Sequence, residues 1–186
     1  IRLSLVGSEM CIRDRDKLER VPSHEDWGYY GLGAHTEDDV RPICYAVMVN
    51  AFLAEVKPPQ ERLAPAQRDR ARQHAILCLR YLTQAHVSGG GACVNGKAWG
   101  NQWQSAMWCR AAGMGGWLLW EHLDASLQHA VANMVAQEAD RFIDKQPESR
   151  EFLNTGAEEN AWNAKVTALA CNMMPCLLYT SDAADE

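Results

Sequence analysis

The chain lacks most of the features that would narrow its chemistry at once. It has no basic run: 18 lysines and arginines stand against 24 aspartates and glutamates, a net charge of −6. That balance leaves no electrostatic footprint for DNA or RNA, so nucleic acid is not an expected partner. No apolar stretch reaches the roughly 18 residues of a membrane-spanning helix, and no membrane association is expected. None of the seven cysteines forms a C-x-x-C pair, which removes zinc knuckles and thioredoxin-like motifs. No P-loop, dinucleotide-binding glycine pattern, H-E-x-x-H or Ser-His-Asp order occurs, and neither a metal nor a cofactor is expected.

The two ends differ in character from the middle. LVGSEMCIRDR, closing at Arg15, and CLLYTSDAADE, from Cys176 to Glu186, read as translations of the two arms of a sequencing-library adapter. Residues 1–15 and 176–186 are therefore expected to be artefact, flanking one native segment of 160 residues, Asp16 to Pro175. Without those ends the net charge becomes −4, because they carry +1 (Arg2, Arg13 and Arg15 against Glu9 and Asp14) and −3 (Asp182, Asp185 and Glu186). Five cysteines remain, Cys44, Cys78, Cys93, Cys109 and Cys171. Four of them lie in apolar helical stretches, where a reduced thiol packs as a small hydrophobe. On this reading the native segment is truncated at both ends, which leaves the compartment open.

Within the native segment, hydrophobic spacing predicts five helices and no strand. The first runs from about Pro42 to Val56 and is apolar nearly all round, as an interior helix is. The second, from about Pro65 to Ala85, is amphipathic, with Arg68, Asp69, Arg72 and Gln73 on its polar face. The third, from about Asn101 to Glu121, is again apolar on most sides. Its Gly113, Gly115 and Gly116 imply close packing or a bend. The fourth, capped by Asp124, sets Leu127, Val131, Met134, Val135, Ala139 and Phe142 against Gln128, Gln137, Glu138 and Arg141. The fifth opens on the capping-box pattern Thr155-Gly-Ala-Glu158 and continues to Pro175. Inner and outer helices thus alternate, joined by short connections, which predicts an all-α array of antiparallel hairpins. Inner starts near Pro42, Asn101 and Ala157 recur at intervals of about sixty residues.

In such an array the inner N-termini share one rim, and the segments leading into them carry the polar and aromatic residues. These are HEDWGYYGLGAHTEDD, VNGKAWGNQWQS and NTGAEENAWN. Trp27, Trp99, Trp103 and Trp162 are candidate platforms for sugar rings, although tryptophan is equally a core filler. His24, Tyr29, Tyr30 and His35 are the candidate proton-transfer groups, set against a plainer reading as loop residues that bond one another. His74, His86, His122 and His129 are expected at the surface. Asn101, Gln102, Gln104, Asn160 and Asn163 offer amides for carboxylate or hydroxyl groups. Glu158 suits a cap, and Glu159 a general acid or base.

Trp99-Gly-Asn-Gln-Trp103 leading into a small-residue apolar helix, then an outer helix, then Asn160-Ala-Trp-Asn163 at a polar N-terminus, resembles the incomplete (α/α) toroid of heparinase II/III-like polysaccharide lyases. The resemblance covers most of Asp16 to Pro175 and is one of layout. It implies β-elimination on a uronate-containing oligo- or polysaccharide, with Asn101 neutralising the uronate carboxylate and a tyrosine and a histidine as base and acid. It also implies a periplasmic or secreted enzyme. The family's Asn-His entry to a later inner helix is absent here, and Glu159-Asn160 stands in its place. A toroid glycoside hydrolase pairing Glu159 with Glu25, Asp26, Glu37 or Asp38 is therefore an alternative, and a non-catalytic helical-repeat binding protein is another.

Overall fold

A computed structural model of the chain describes residues 18–57, 63–141 and 157–182, with side chains of the last helix described from 161 to 173. The described residues form a two-stranded hairpin, β1 (Glu19–Val21) and β2 (His24–Tyr29), followed by five α-helices. These are α1 (Glu37–Glu55), α2 (Pro65–Ala85), α3 (Ser105–Leu118), α4 (Ala125–Asp140) and α5 (Ala157–Asp182), with a 3-10 turn at Trp120–His122. The all-helical expectation therefore holds except at the hairpin, which spacing missed for a physical reason. At the middle of α2 it approaches through a glycine: a Cβ on Gly28 would lie 3.2 Å from both Leu18 Cδ1 and Leu77 Cβ. A strand that presents a glycine to the core shows no apolar alternation.

Helix α1 begins five residues before Pro42, which lies inside it. Glu37, Asp38 and Asp39 in its first turn complement the positive dipole end, and Thr36 O accepts from Val40 N at 2.9 Å. Its other end is closed by Arg68, expected on the solvent face of α2. Arg68 is instead buried and donates to the carbonyls of Leu53 and Ala54, each at 3.0 Å. Those carbonyls have no partner within the helix, so a cation there serves both as hydrogen-bond donor and as dipole complement. Helix α4 starts as expected, with Asp124 Oδ1 accepting from Leu127 N at 2.9 Å. Phe142 and Thr155 lie outside the described residues.

The helices stack in two rows, α1–α3–α5 and α2–α4. Helix α3 is the centre, and its glycines explain how three neighbours approach it. A Cβ on Gly113 would come within 2.5 Å of Val135 Cγ2 and 2.9 Å of Leu169 Cδ2. One on Gly115 would meet Val47 Cγ1 at 2.7 Å, and one on Gly116 would meet Val131 Cγ1 at 2.8 Å. Close packing, not a bend, is thus what these glycines serve. Helix α5 touches the entry to α3 at Trp162 against Trp103, and α3 itself at Leu169 against Gly113. The segment entering α1 touches α3's entry at His35 against Gln102, and α1 meets α3 again at Val47 against Gly115. Both pairs ascend together, so α1, α3 and α5 run parallel with their N-termini at one rim.

Cys44, Cys78, Cys93 and Cys109 are buried in the core, while Cys171 is exposed. Cys93, the one outside the helices, is buried because the loop before α3 folds over α2.

Candidate functional site

The loop from His86 to Gln104 carries the rim, and it is hung from two helices. Trp99 N donates to Ala85 O at 3.0 Å, Val87 N to Trp99 O at 2.9 Å, and the indole Nε1 to Leu82 O at 2.9 Å. Trp99 is wholly buried, edge-on to His86 with ring centroids 4.6 Å apart. A sugar platform at Trp99 is overturned, because the indole is consumed in anchoring this loop to the end of α2.

The second support is Glu138 near the end of α4, fully buried although expected on that helix's polar face. Its Oε1 accepts from Asn101 N at 2.9 Å, and its Oε2 accepts from Ser105 Oγ and Arg141 NH1, each at 2.7 Å. Arg141 NH1 also donates to Gln102 O at 3.2 Å. His86, expected at the surface, is buried beside them, its Nε2 3.3 Å from Glu138 Oε1. Ser88 N donates to His86 Nδ1 at 3.1 Å, which leaves Nε2 as the protonated nitrogen that faces the carboxylate. Burial pushes the Glu138 carboxyl up. The hydrogen bond from His86, the Arg141 charge, and the donors of Asn101 and Ser105 outweigh it and hold the group below the usual carboxylate range. Gly100, at φ 112°, passes so close to His86 that a Cβ would lie 2.6 Å from Nε2, so no other residue fits there.

This clamp fixes Asn101 at φ 57°, the one non-glycine residue with positive φ among the described residues. Asparagine is among the residues that adopt this left-handed conformation most readily, and the bond to Glu138 holds it there. Asn101 itself is exposed.

Around Asn101 the rim gathers part of the expected set. Gln102 Nε2 donates to His35 O at 3.1 Å, and His35 Nδ1 lies 2.8 Å from Asn95 Nδ2. Trp103, 63% exposed, meets Trp162 edge-on at 6.2 Å. Tyr81 ties the two rim loops together: its hydroxyl donates to Gly33 O and accepts from Val94 N at 3.2 Å. Burial pushes the Tyr81 phenol up, so it remains a neutral strut. Among the described residues, four buried side-chain atoms have no hydrogen-bond partner: Asn50 Oδ1 in α1, and Gln102 Oε1, Gln104 Oε1 and Trp108 Nε1 in or beside the first turn of α3. Asn163 is half-buried in the second turn of α5. The side chains of Glu158, Glu159 and Asn160 lie outside the described residues.

The rest of the expected set sits elsewhere. His24 and Trp27 stack on β2, at 3.8 Å and 7° between planes, against the outer row of helices. Tyr29 packs against Tyr81 at 5.3 Å, and buried Tyr30 reaches His74 Nδ1 at 3.4 Å. The first connecting segment is thus divided: His24 and Trp27 lie along α2, while Tyr29 stays against Gly33 and Tyr81 and His35 meets Gln102.

Glu138, Arg141, Ser105 and Tyr81 had not been identified as site residues. For Glu138 a signal existed: Leu127, Val131, Met134 and Glu138 follow one another at helical spacing, which puts the carboxylate on the apolar stripe. Comparison of the chain with protein families, with curated proteins and with solved structures finds no match.

Proposed function

We propose that this helical array is part of an (α/α) toroid of the polysaccharide-lyase kind, and that the rim around Asn101 binds a uronate-bearing glycan. The observation that carries the reading is the exposed Asn101 held at positive φ by a buried, ionised Glu138. Three further features support it: the partly exposed Trp103–Trp162 pair, the parallel N-termini whose dipoles favour an anion, and the unpartnered polar atoms of Gln102, Gln104 and Trp108.

In this reading the Asn101 amide hydrogen-bonds the uronate carboxylate and stabilises the charge that develops there as the proton on C5 is removed. The electron pair forms the C4–C5 double bond, the C4–O bond breaks, and the leaving oxygen takes up a proton. His35, joined to Gln102 through its carbonyl, serves as the proton-transfer group.

The test incubates the enzyme carrying this rim with oligouronates and follows ultraviolet absorbance of the unsaturated product. Asn101→Ala is expected to abolish product formation while leaving the thermal transition within a few degrees of the parent. Unchanged turnover overturns the role of Asn101. New reducing ends without unsaturation would replace the lyase reading with the hydrolase centred on Glu159.

A further inference from the structure

The turn that follows α2 holds a serine hydroxyl against a fixed imidazole. Ser88 Oγ lies 2.8 Å from His86 Nδ1, and His86 Nε2 lies 3.3 Å from Glu138 Oε1. Ser88 is exposed, whereas His86 and Glu138 are wholly buried. Hydroxyl, imidazole and carboxylate thus follow one another from solvent to core.

Each member is in the state that nucleophilic catalysis needs. His86 Nδ1 accepts from Ser88 N at 3.1 Å, so it is the unprotonated nitrogen, the one able to take the hydroxyl proton. Nε2 carries its proton toward the ionised carboxylate, which holds the ring in that tautomer. The ring is also confined: Trp99 meets it edge-on at 4.6 Å, and Gly100 passes too close to admit a Cβ. Arg141 and Ser105 take Oε2 of Glu138, which leaves Oε1 to His86 and Asn101 N. A hydroxyl within hydrogen-bond reach of a base that a third group orients is the arrangement of an activated serine.

Three glycines follow the serine, Gly89, Gly90 and Gly91. Gly89 N and Gly91 N bond back to His86 O and Gln84 O and fix the turn, while Gly90 N has no acceptor among the described residues. Gly90, at φ 74°, has nothing within 4 Å of its Cβ position, so the turn is open to solvent there. We infer that Ser88 is a nucleophile for acyl transfer from small carboxylic esters, with His86 as its base and Glu138 positioning the imidazole. Ser88 Oγ attacks the ester carbonyl as its proton passes to His86 Nδ1. The Gly90 N–H is the nearest free backbone donor in the chain for the oxygen on which charge develops. The ester C–O bond then breaks and the alcohol leaves with the proton from His86. Water, losing a proton to His86, attacks the acyl-serine; the acid departs and Ser88 recovers its proton. The inference does not depend on the glycan reading, since it uses no side chain of the rim.

The test treats the intact chain with p-nitrophenyl acetate and, separately, with a fluorophosphonate that modifies activated serines, locating the adduct by peptide mass mapping. The folded chain is expected to release p-nitrophenol at least about tenfold faster than the urea-unfolded chain, and to carry the phosphonate on Ser88. Ser88→Ala alters an exposed residue and is expected to remove the adduct and bring hydrolysis down to the unfolded rate. Ser88→Cys is expected to react with iodoacetamide at least about tenfold faster than exposed Cys171, because the same imidazole would draw the proton from the thiol. A folded chain that hydrolyses the ester no faster than the unfolded one overturns the proposal, as does hydrolysis at the parent rate in Ser88→Ala. Phosphonate absent from Ser88, or an introduced thiol no faster than Cys171, overturns it too.

Discussion

The backbone N–H of Asn101 donates to the Glu138 carboxylate across 2.9 Å, joining residues 37 positions apart in the chain. Through that bond the loop entering α3 is held by the end of α4. The same carboxylate gathers Ser105 and Arg141, so one buried charge sets the backbone of Asn101, the first residue of α3 and the last turn of α4 together.

Removing this charge leaves the Asn101 N–H without its acceptor and takes from Arg141 its carboxylate, leaving it the Gln102 carbonyl. Glu138→Ala is expected to cost about 3–5 kcal/mol, the usual penalty for breaking a buried charge pair. Urea unfolding followed by circular dichroism checks it. A cost below about 1 kcal/mol would mean that the loop is held by Trp99 alone.

The carboxyl of Glu138 is depressed in the folded state relative to the unfolded chain. Its stabilisation is therefore fully present above the unfolded carboxylate value of about 4.3, and is lost as pH falls through the lower folded value. Urea midpoints measured from about pH 6 down to about pH 3 are expected to fall, and Glu138→Gln is expected to flatten that fall. An equal slope in the variant would assign the acid sensitivity to other groups.

Arg68 closes the C-terminus of α1 from inside the fold. Arg68→Met keeps the apolar stem and removes the donors, with an expected loss of about 2 kcal/mol. Hydrogen exchange at the last turn of α1 is expected to accelerate more than exchange in α3, which distinguishes a local uncapping from a general loss of stability.

Gly113→Ala sets helix propensity against space. The gain of about 1 kcal/mol expected for an exposed site is opposed by a Cβ 2.5 Å from Val135 Cγ2 and 2.9 Å from Leu169 Cδ2. Overpacking of this degree costs about 1–3 kcal/mol, so net destabilisation is expected in thermal unfolding. A stabilised variant would show that α4 and α5 yield readily.

Burial pushes the thiols of Cys44, Cys78, Cys93 and Cys109 up. Iodoacetamide at neutral pH is expected to label exposed Cys171 in the folded chain and to reach those four only after unfolding, read by peptide mass mapping. Early labelling of Cys93 would show that the loop before α3 opens readily.

The amino-acid pattern by itself determined the five helices, the Asp124 cap, the alternation of rows and the shared rim of α1, α3 and α5. Those follow from the spacing of apolar residues and from short connections, which are local in the chain. It also marked Asn101, Gln102, Trp103, Trp162 and His35, because polar and aromatic residues at the entry to apolar helices stand out from their neighbours. Only the tertiary structure decided that Glu138, His86 and Arg68 are inside. Each is a polar residue whose burial is compensated by partners distant in sequence, and spacing carries no record of such partners. It also decided that Trp99 is an anchor, and that Trp27, with His24 stacked on it, lies beside Arg80 and Asp124. A hairpin lying on α2 through Gly28 carries them there, and a glycine that is buried looks in sequence like one that is not.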